Sequence, residues 1–257
     1  MCLINLHGIL TKYRKVFSGA GMLILVALIF WTVNSPAIVG AAATQRQLPV
    51  YSVQRSDKLV ALSFDAAWGN EDTQPLIDIL RDHGVKTTFF VVGDWADKYP
   101  ESVRALAEAG HEVMSHSSHH DHFSALSTEQ IRADLTACSE KIEALTGQAP
   151  TLFRCPYGEY DDHVIAAVRE LGMEPIQWSV DSLDWKGLSA EEITKRVLQS
   201  VQSGSIVLFH NAAEHTPEAL PGILDALRNQ GYRVVPVSEL LLEGETFIDS
   251  TGCQCPR

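Results

Sequence analysis

Leu59-Val-Ala-Leu-Ser-Phe64 runs straight into Asp65, and Thr88-Phe-Phe-Val-Val92 repeats the apolar run one helix-length later. Short apolar runs bounded by turn or charged residues read as buried strands. There are five more: Glu112–Ser115, Leu152–Arg154, Glu174–Trp178, Ile206–Phe209 and Arg233–Val235. Helix signals lie between them. Ser127 with Gln130 fits a capping box, and Ile131, Leu135, Cys138, Ile142 and Leu145 then recur at helical spacing. Ser189 with Glu192 forms a second box, and Thr216-Pro217 a third helix start. Gly84, Gly110, Gly147, Gly172, Gly204 and Gly231 sit where helices should stop. Regular strand–helix alternation implies a parallel sheet covered by helices. Seven such units predict an α/β protein built as a barrel, closed or incomplete, rather than an open sheet.

Outward from this repeat the composition changes. Residues 1–43 hold Lys12, Arg14 and Lys15 and no acid, and Phe17 to Val33 is almost continuously apolar. Basic residues, an apolar stretch and then small residues at Ala41-Ala42-Ala43 form the pattern of a secretory signal. The stretch also reaches the short limit for a membrane-spanning anchor, about 17 residues. In either case the basic flank places the remainder outside the cytoplasm, secreted or anchored. The expected organisation is a leader over 1–43, a polar linker over 44–57, one domain over 58–245 and a tail over 246–257.

The whole chain of 257 residues carries 32 acidic and 20 basic side chains, a net charge of −12. Without the three basic residues of the leader, 17 basic residues face 32 acidic ones, a net −15. Such a domain should repel nucleic acid. Hydrophobic residues at 46% support a packed core and exclude a wholly disordered chain. Five cysteines are too few to frame a disulfide mini-domain. A Gly-x-Ser-x-Gly elbow, a phosphate-cradling glycine loop and a His-Glu-x-x-His motif are all missing from the sequence.

In barrels of this kind reactive groups collect at the C-terminal ends of strands. The strand ends here carry Asp65; His116-Ser-Ser-His119-His120-Asp121-His122; Arg154-Cys-Pro-Tyr-Gly158; Asp181-Ser-Leu-Asp184-Trp185; and His210-Asn211. Each has a plainer explanation. Asp65, Asp181 and Asp184 fit turns, Arg154 fits a buried carboxylate partner, and His210 fits a satisfied core histidine. Trp178 and Trp185 fit either core packing or stacking on sugar rings. Cys138 fits the core, and Cys155 makes a poor nucleophile candidate. Four histidines in seven residues fit a metal loop better than a solvated one. Cys253-Gln-Cys255 is too small a signal for a metal site, although it could be oxidised or pair with another chain.

These five clusters, in this order, resemble the polysaccharide deacetylases of the NodB homology type, carbohydrate esterase family four. The resemblance covers about 58–242. Ser63-Phe64-Asp65 resembles the first family motif, His116-Ser117-Ser118-His119-His120 the second, and Arg154-Cys155-Pro156-Tyr157-Gly158 the third. Asp181-Ser-Leu-Asp184-Trp185 resembles the fourth and Leu208-Phe209-His210 the last. Phe64-Asp-Ala-Ala-Trp-Gly69 and the run from Trp178 to Gly187 look most like the sporulation-associated, PdaB-like branch.

The resemblance implies a distorted (β/α)7 barrel that hydrolyses N-acetyl groups of amino sugars in peptidoglycan or a chitin-like glycan. It implies a divalent metal, zinc by preference, on His116 and His120, which polarises the acetyl carbonyl and activates water. Asp65 would be the base, Arg154 its orienting partner, His210 the acid and Asp181 the support of its imidazolium. Tyr157 would hold the oxyanion through its backbone N–H, Leu208 would line the acetyl pocket, and Trp185 would contact the sugar. The expected partner is a cell-wall glycan, met by a monomer. One departure matters. The family's second aspartate, a metal ligand, is Ala66 here. Asp72, Glu71 or His122 would have to supply the third ligand. The alternative is a catalytically weak or inactive glycan-binding or spore-envelope protein of the same fold.

Overall fold

A computed structural model describes residues 22–31 and 46–257. The chain divides into two compact units, Met1–Arg46 and Gln47–Arg257. In the first, residues 22–31 are helical and exposed. Among the described residues, no helix is long and apolar enough to cross a membrane. The remainder of the expected leader, including Ala41–Ala43, lies outside the described residues.

The second unit is organised by β2 (Leu59–Ala66), in which all eight residues are buried. Its side chains alternate, as strand geometry requires. Val60, Leu62, Phe64 and Ala66 join the apolar cluster beneath the helices. Leu59 and Ala61 join the inner cluster with Phe90, Ile206 and Val237. Ser63 and Asp65 continue that inner face but are polar, and both bond Arg154.

The strands that flank β2 are β3 (Thr88–Val91), β4 (Glu112–Ser115), β5 (Leu152–Phe153), β6 (Glu174–Pro175), β7 (Val180–Asp181) and β8 (Ile206–His210). Their order is β6-β5-β4-β3-β2-β8-β7, every pairing is parallel, and β9 (Arg233–Val234) adds to the start of β2. The helices that cover the sheet include α1 (Thr73–Asp82), α2 (Gly93–Lys98), α3 (Pro100–Glu108), α4 (Thr128–Thr146), α5 (Asp162–Glu170), α6 (Ala190–Ser200) and α7 (Thr216–Asn229). The expected capping boxes open α4 and α6 with reciprocal side-chain and backbone bonds. Gly147 closes α4 at φ 75°, where a side chain would be strained. Pro217 falls at the second position of α7 rather than the first.

All seven expected strands are present, and the sheet is a curled parallel half-barrel, open between β6 and β7. Three features depart from the sequence expectation. β7 has no sequence signal of its own, because two residues carry no periodicity. The supposed linker contributes β1 (Ser52–Val53) and a strap before it. Val50 bridges Ile176 beside β6, while Val53 N–H donates to the Gly204 carbonyl at 2.9 Å. The strap therefore spans the open side of the sheet. The supposed tail forms β10 (Thr246–Ile248) and β11 (Cys253–Pro256), and β11 pairs with both β10 and β1. The compact unit accordingly begins before residue 58 and ends after 245, because both ends satisfy their backbone groups on each other.

Gly204 shows how tightly the strap is seated. Its φ is 82°, and a Cβ there would lie 1.7 Å from the Val53 carbonyl oxygen. Gly204→Ala is expected to lower the unfolding free energy by about 1–3 kcal/mol in a denaturant titration. Gly84→Ala, at a similar φ but with open space around it, should cost less. Equal losses would mean that the strap is not held against Gly204.

Candidate active site

The C-terminal ends of the strands surround a cleft of about 450 Å³. It is lined by Asp65, Trp68, His116, His120, Tyr157, Gly158, Trp178, Asp181, Trp185, Leu208 and His210. Every catalytic and substrate residue expected from sequence, apart from Arg154, reaches this wall. Arg154 lies directly beneath it.

Arg154 follows β5 and is fully buried. Its Nη1 donates to Asp65 Oδ1 at 2.7 Å. Its Nη2 donates to Ser63 Oγ at 2.9 Å and to the Gln177 carbonyl at 3.2 Å. The guanidinium also lies 4.1 Å from the Phe90 ring centroid. Burial alone would push the Asp65 pKa up. The Arg154 charge, then His116 and His210, outweigh it, so Asp65 sits below the ordinary 3.8 and stays ionised.

His116 is 3.5 Å from Asp65 Oδ2 through Nε2, and its Nδ1 is 2.8 Å from the Arg154 carbonyl. A carbonyl can only accept, so Nδ1 carries the proton and Nε2 presents a lone pair to the cleft. His120 packs edge-on against His116 and Tyr157. Burial lowers both imidazole pKa values, that of His120 to about 4. Both are neutral at physiological pH, the state that binds metals. The loop is held by Ser118, whose N–H and Oγ bond Asp134 of α4, and by Ser117 Oγ, which accepts the His120 N–H.

His210 ends β8. Its Nδ1 is 2.8 Å from Asp184 Oδ1, and its backbone N–H donates to Asp184 Oδ2. Thr216 Oγ1 donates to the same carboxylate. Burial pulls the His210 pKa down, but the Asp184 hydrogen bond and the charges of Asp65, Asp184 and Asp181 raise it above 6.5 overall. The hydrogen-bond partner of His210 is thus Asp184, while Asp181, the expected support, acts on it through its charge. Asp181 lines the cleft and accepts the Leu183 N–H at 2.9 Å. Leu183, at φ 55°, turns the chain so that the next residue reaches His210. Both aspartates lie in one motif, and residue spacing alone does not reveal which one points inward.

Ser117, His120, Tyr157, Leu183 and Ala212 all adopt positive φ without being glycine, and all lie in these strand-end loops. Such backbone strain clusters where a site fixes its geometry. Asn211 has a part that sequence reasoning did not assign to it. It accepts the Ala67 N–H at 3.0 Å and donates to the Trp68 and Gly69 carbonyls. Trp95 Nε1 donates to the same two carbonyls. These bonds fix the rebuilt loop and set Trp68, more than half exposed, beside His120.

The implied metal does not find its full donor set. Ala66 packs in the outer core and offers no ligand. Asp72 accepts the Ala212 N–H, and its charged neighbours are Glu71 and Asp184. Glu71 accepts the Asn70 N–H. His122 bonds Glu159 and stacks on Tyr157. Among the described residues, no group of three candidate donors includes His116 or His120. Both imidazoles line the cleft, and none of Asp72, Glu71 and His122 joins them in a set of three donor atoms within 4.8 Å of one another.

A family model described as polysaccharide deacetylase matches residues 52–176. The peptidoglycan-N-acetylglucosamine deacetylase PgdA of Listeria monocytogenes is 35% identical over 209 residues, covering 80% of this chain and 44% of that protein. A peptidoglycan-N-acetylglucosamine deacetylase of Bacillus cereus is 34% identical over 196 residues, covering 74% of this chain and 92% of that protein. The chain thus spans less than half of the Listeria relative. A solved structure of a family 4 pseudoenzyme from Bacillus anthracis superposes with a TM-score of 0.73 at 35% identity, over 75% of this chain and 68% of that one. A mutant of that pseudoenzyme is described as having restored enzymatic activity.

Two variants test the buried pairs. Arg154→Met removes the charge that answers the buried Asp65 and is expected to cost about 3–5 kcal/mol in chemical denaturation. Asp184→Asn removes the charge that raises His210. The His210 imidazole, followed by NMR, should titrate above 6.5 in the wild type and at lower pH in the variant. An unmoved titration would detach His210 from Asp184.

Proposed function

We propose that this chain, which belongs to the polysaccharide deacetylase family, removes N-acetyl groups from amino sugars of a peptidoglycan-type glycan outside the cytoplasm. The observation that carries the proposal is the pairing of two oppositely tuned groups across one cleft. Arg154 keeps the Asp65 pKa below the ordinary 3.8, and Asp184 raises that of His210 above 6.5. Divergent tuning of this kind separates a base from an acid at a common pH.

Asp65 takes a proton from water, and the oxygen of that water attacks the acetyl carbonyl carbon. Oδ2 serves this step, because Oδ1 is engaged by Arg154. The developing oxyanion meets the Tyr157 backbone N–H at the turn held at φ 58°. His210 then donates from Nε2 to the leaving nitrogen, since Nδ1 is committed to Asp184. The C–N bond breaks, giving acetate and a free amine. Leu208 lines the acetyl pocket, and Trp185 and Trp68 offer exposed ring faces to the sugar. His116 and His120 offer two imidazoles to a divalent ion. Without the second carboxylate this set does not complete the family's centre.

Ala66 favours a second reading, a protein that binds the glycan without turning it over. Similarity to a pseudoenzyme supports it. Acetate release from N-acetylated peptidoglycan fragments by the purified full chain decides between the two. Asp65→Asn and His210→Ala should each reduce the rate by about 10²–10⁴-fold while the protein stays folded. Glycan binding with no acetate from the wild type would favour the second reading. Ala66→Asp adds the missing carboxylate, and calorimetric titration should then show zinc held at least about tenfold more tightly at the histidine loop.

A further inference from the structure

We propose that Asp249, Cys253 and Cys255 form a binding site for a zinc-class divalent ion on the C-terminal hairpin, independent of the deacetylase cleft. One carboxylate oxygen and the two sulfurs lie within 4.8 Å of one another. Among the described residues it is the only group of three candidate donors this close. Cys253 and Cys255 are two apart on β11, so strand geometry turns both side chains to one face. Cys255 is buried and Cys253 half-buried, which leaves the ion an approach from one side.

The hairpin holds these donors in place. β11 is paired on both sides, with Cys253 opposite Ser52 and Cys255 opposite Phe247. Asp249 Oδ1 accepts from the Thr251 N–H, the Thr251 hydroxyl and the Cys253 N–H. These bonds fix the carboxylate beside the thiols. Gly252 packs on Tyr51 so closely that a Cβ would lie 2.3 Å from the ring. The turn cannot swing away without disturbing the strap.

Strand geometry separates metal binding from disulfide formation. Residues two apart on a strand have Cα atoms about 6.7 Å apart. Disulfides favour about 5.5–6 Å. A tetrahedral ion with Zn–S bonds of about 2.3 Å needs its sulfurs only about 3.8 Å apart. Two thiolates and a carboxylate suit zinc or cobalt better than magnesium or calcium, which prefer oxygen donors. Binding converts two thiols to thiolates and releases two protons per ion, with no change in oxidation state. All three donors lie on the hairpin, so the ion would brace the turn and β11, the strand on which β1 pairs.

Cobalt(II) titration of the purified, reduced full chain tests the site. One equivalent should produce thiolate-to-cobalt charge-transfer absorption. The band should survive in His116→Ala/His120→Ala and vanish in Cys253→Ser/Cys255→Ser. If the double serine variant fails to fold, Cys253→Ser alone should weaken the band, because that side chain is half-exposed. Asp249→Asn should keep the band and lose about tenfold or more in affinity. Absence of the band in the wild type would overturn the proposal, as would its persistence in the serine variants. An intact mass showing a Cys253–Cys255 disulfide in the protein purified without reductant would also overturn it.

Discussion

A fully buried guanidinium organises this molecule. Arg154 cannot be hydrated, so its charge must be answered by Asp65, by Ser63 and by the Gln177 carbonyl. Those partners come from β2 and from the segment after β6, strands far apart in the sheet order. The ion pair therefore ties the centre of the half-barrel to its edge. It also keeps one carboxylate ionised inside an apolar shell, where an unpaired one would neutralise. His116 is oriented by the same residue, through the Arg154 carbonyl. Loss of that one side chain would disturb Asp65 and the sheet together, whereas the His116 contact is made to the backbone carbonyl and does not depend on the guanidinium.

Much of this is legible in the sequence because it depends on local pattern. The apolar runs mark seven strands, and the polar residues that end them mark the cleft. Asp65, His116, His120, Tyr157, Leu208 and His210 are where strand ends have to put them. The features without a sequence signal depend on long-range contacts. β1, β10 and β11 are short and satisfy each other across nearly the whole chain, which no window of sequence reveals. That Asp184 makes the hydrogen bond to His210 turns on the left-handed backbone of Leu183, a leucine with no sequence signature for that conformation.

Ala66 is the point at which this chain parts from its family's pattern. The loop after it is fixed by Asn211 and Trp95, and Trp68 stands at the rim beside His120. Asp65 still pairs with Arg154, and His210 with Asp184. The Asp65–Arg154 pair has a structural part to play in either reading, because it ties β2 to the far edge of the sheet. The His210–Asp184 pair at the cleft wall is the one that hydrolysis calls for and binding alone does not.

In the proposed hydrolysis Asp65 acts ionised and His210 acts protonated. The pH dependence of acetate release by the full chain tests it most directly. Asp65 limits the rate only as pH falls through a value below 3.8. His210 limits it only as pH rises through a value above 6.5. The expected profile is a plateau between those limits, with the alkaline limb moved to lower pH by Asp184→Asn. A rate that climbs as His210 loses its proton, or no acetate at any pH, would contradict the claim.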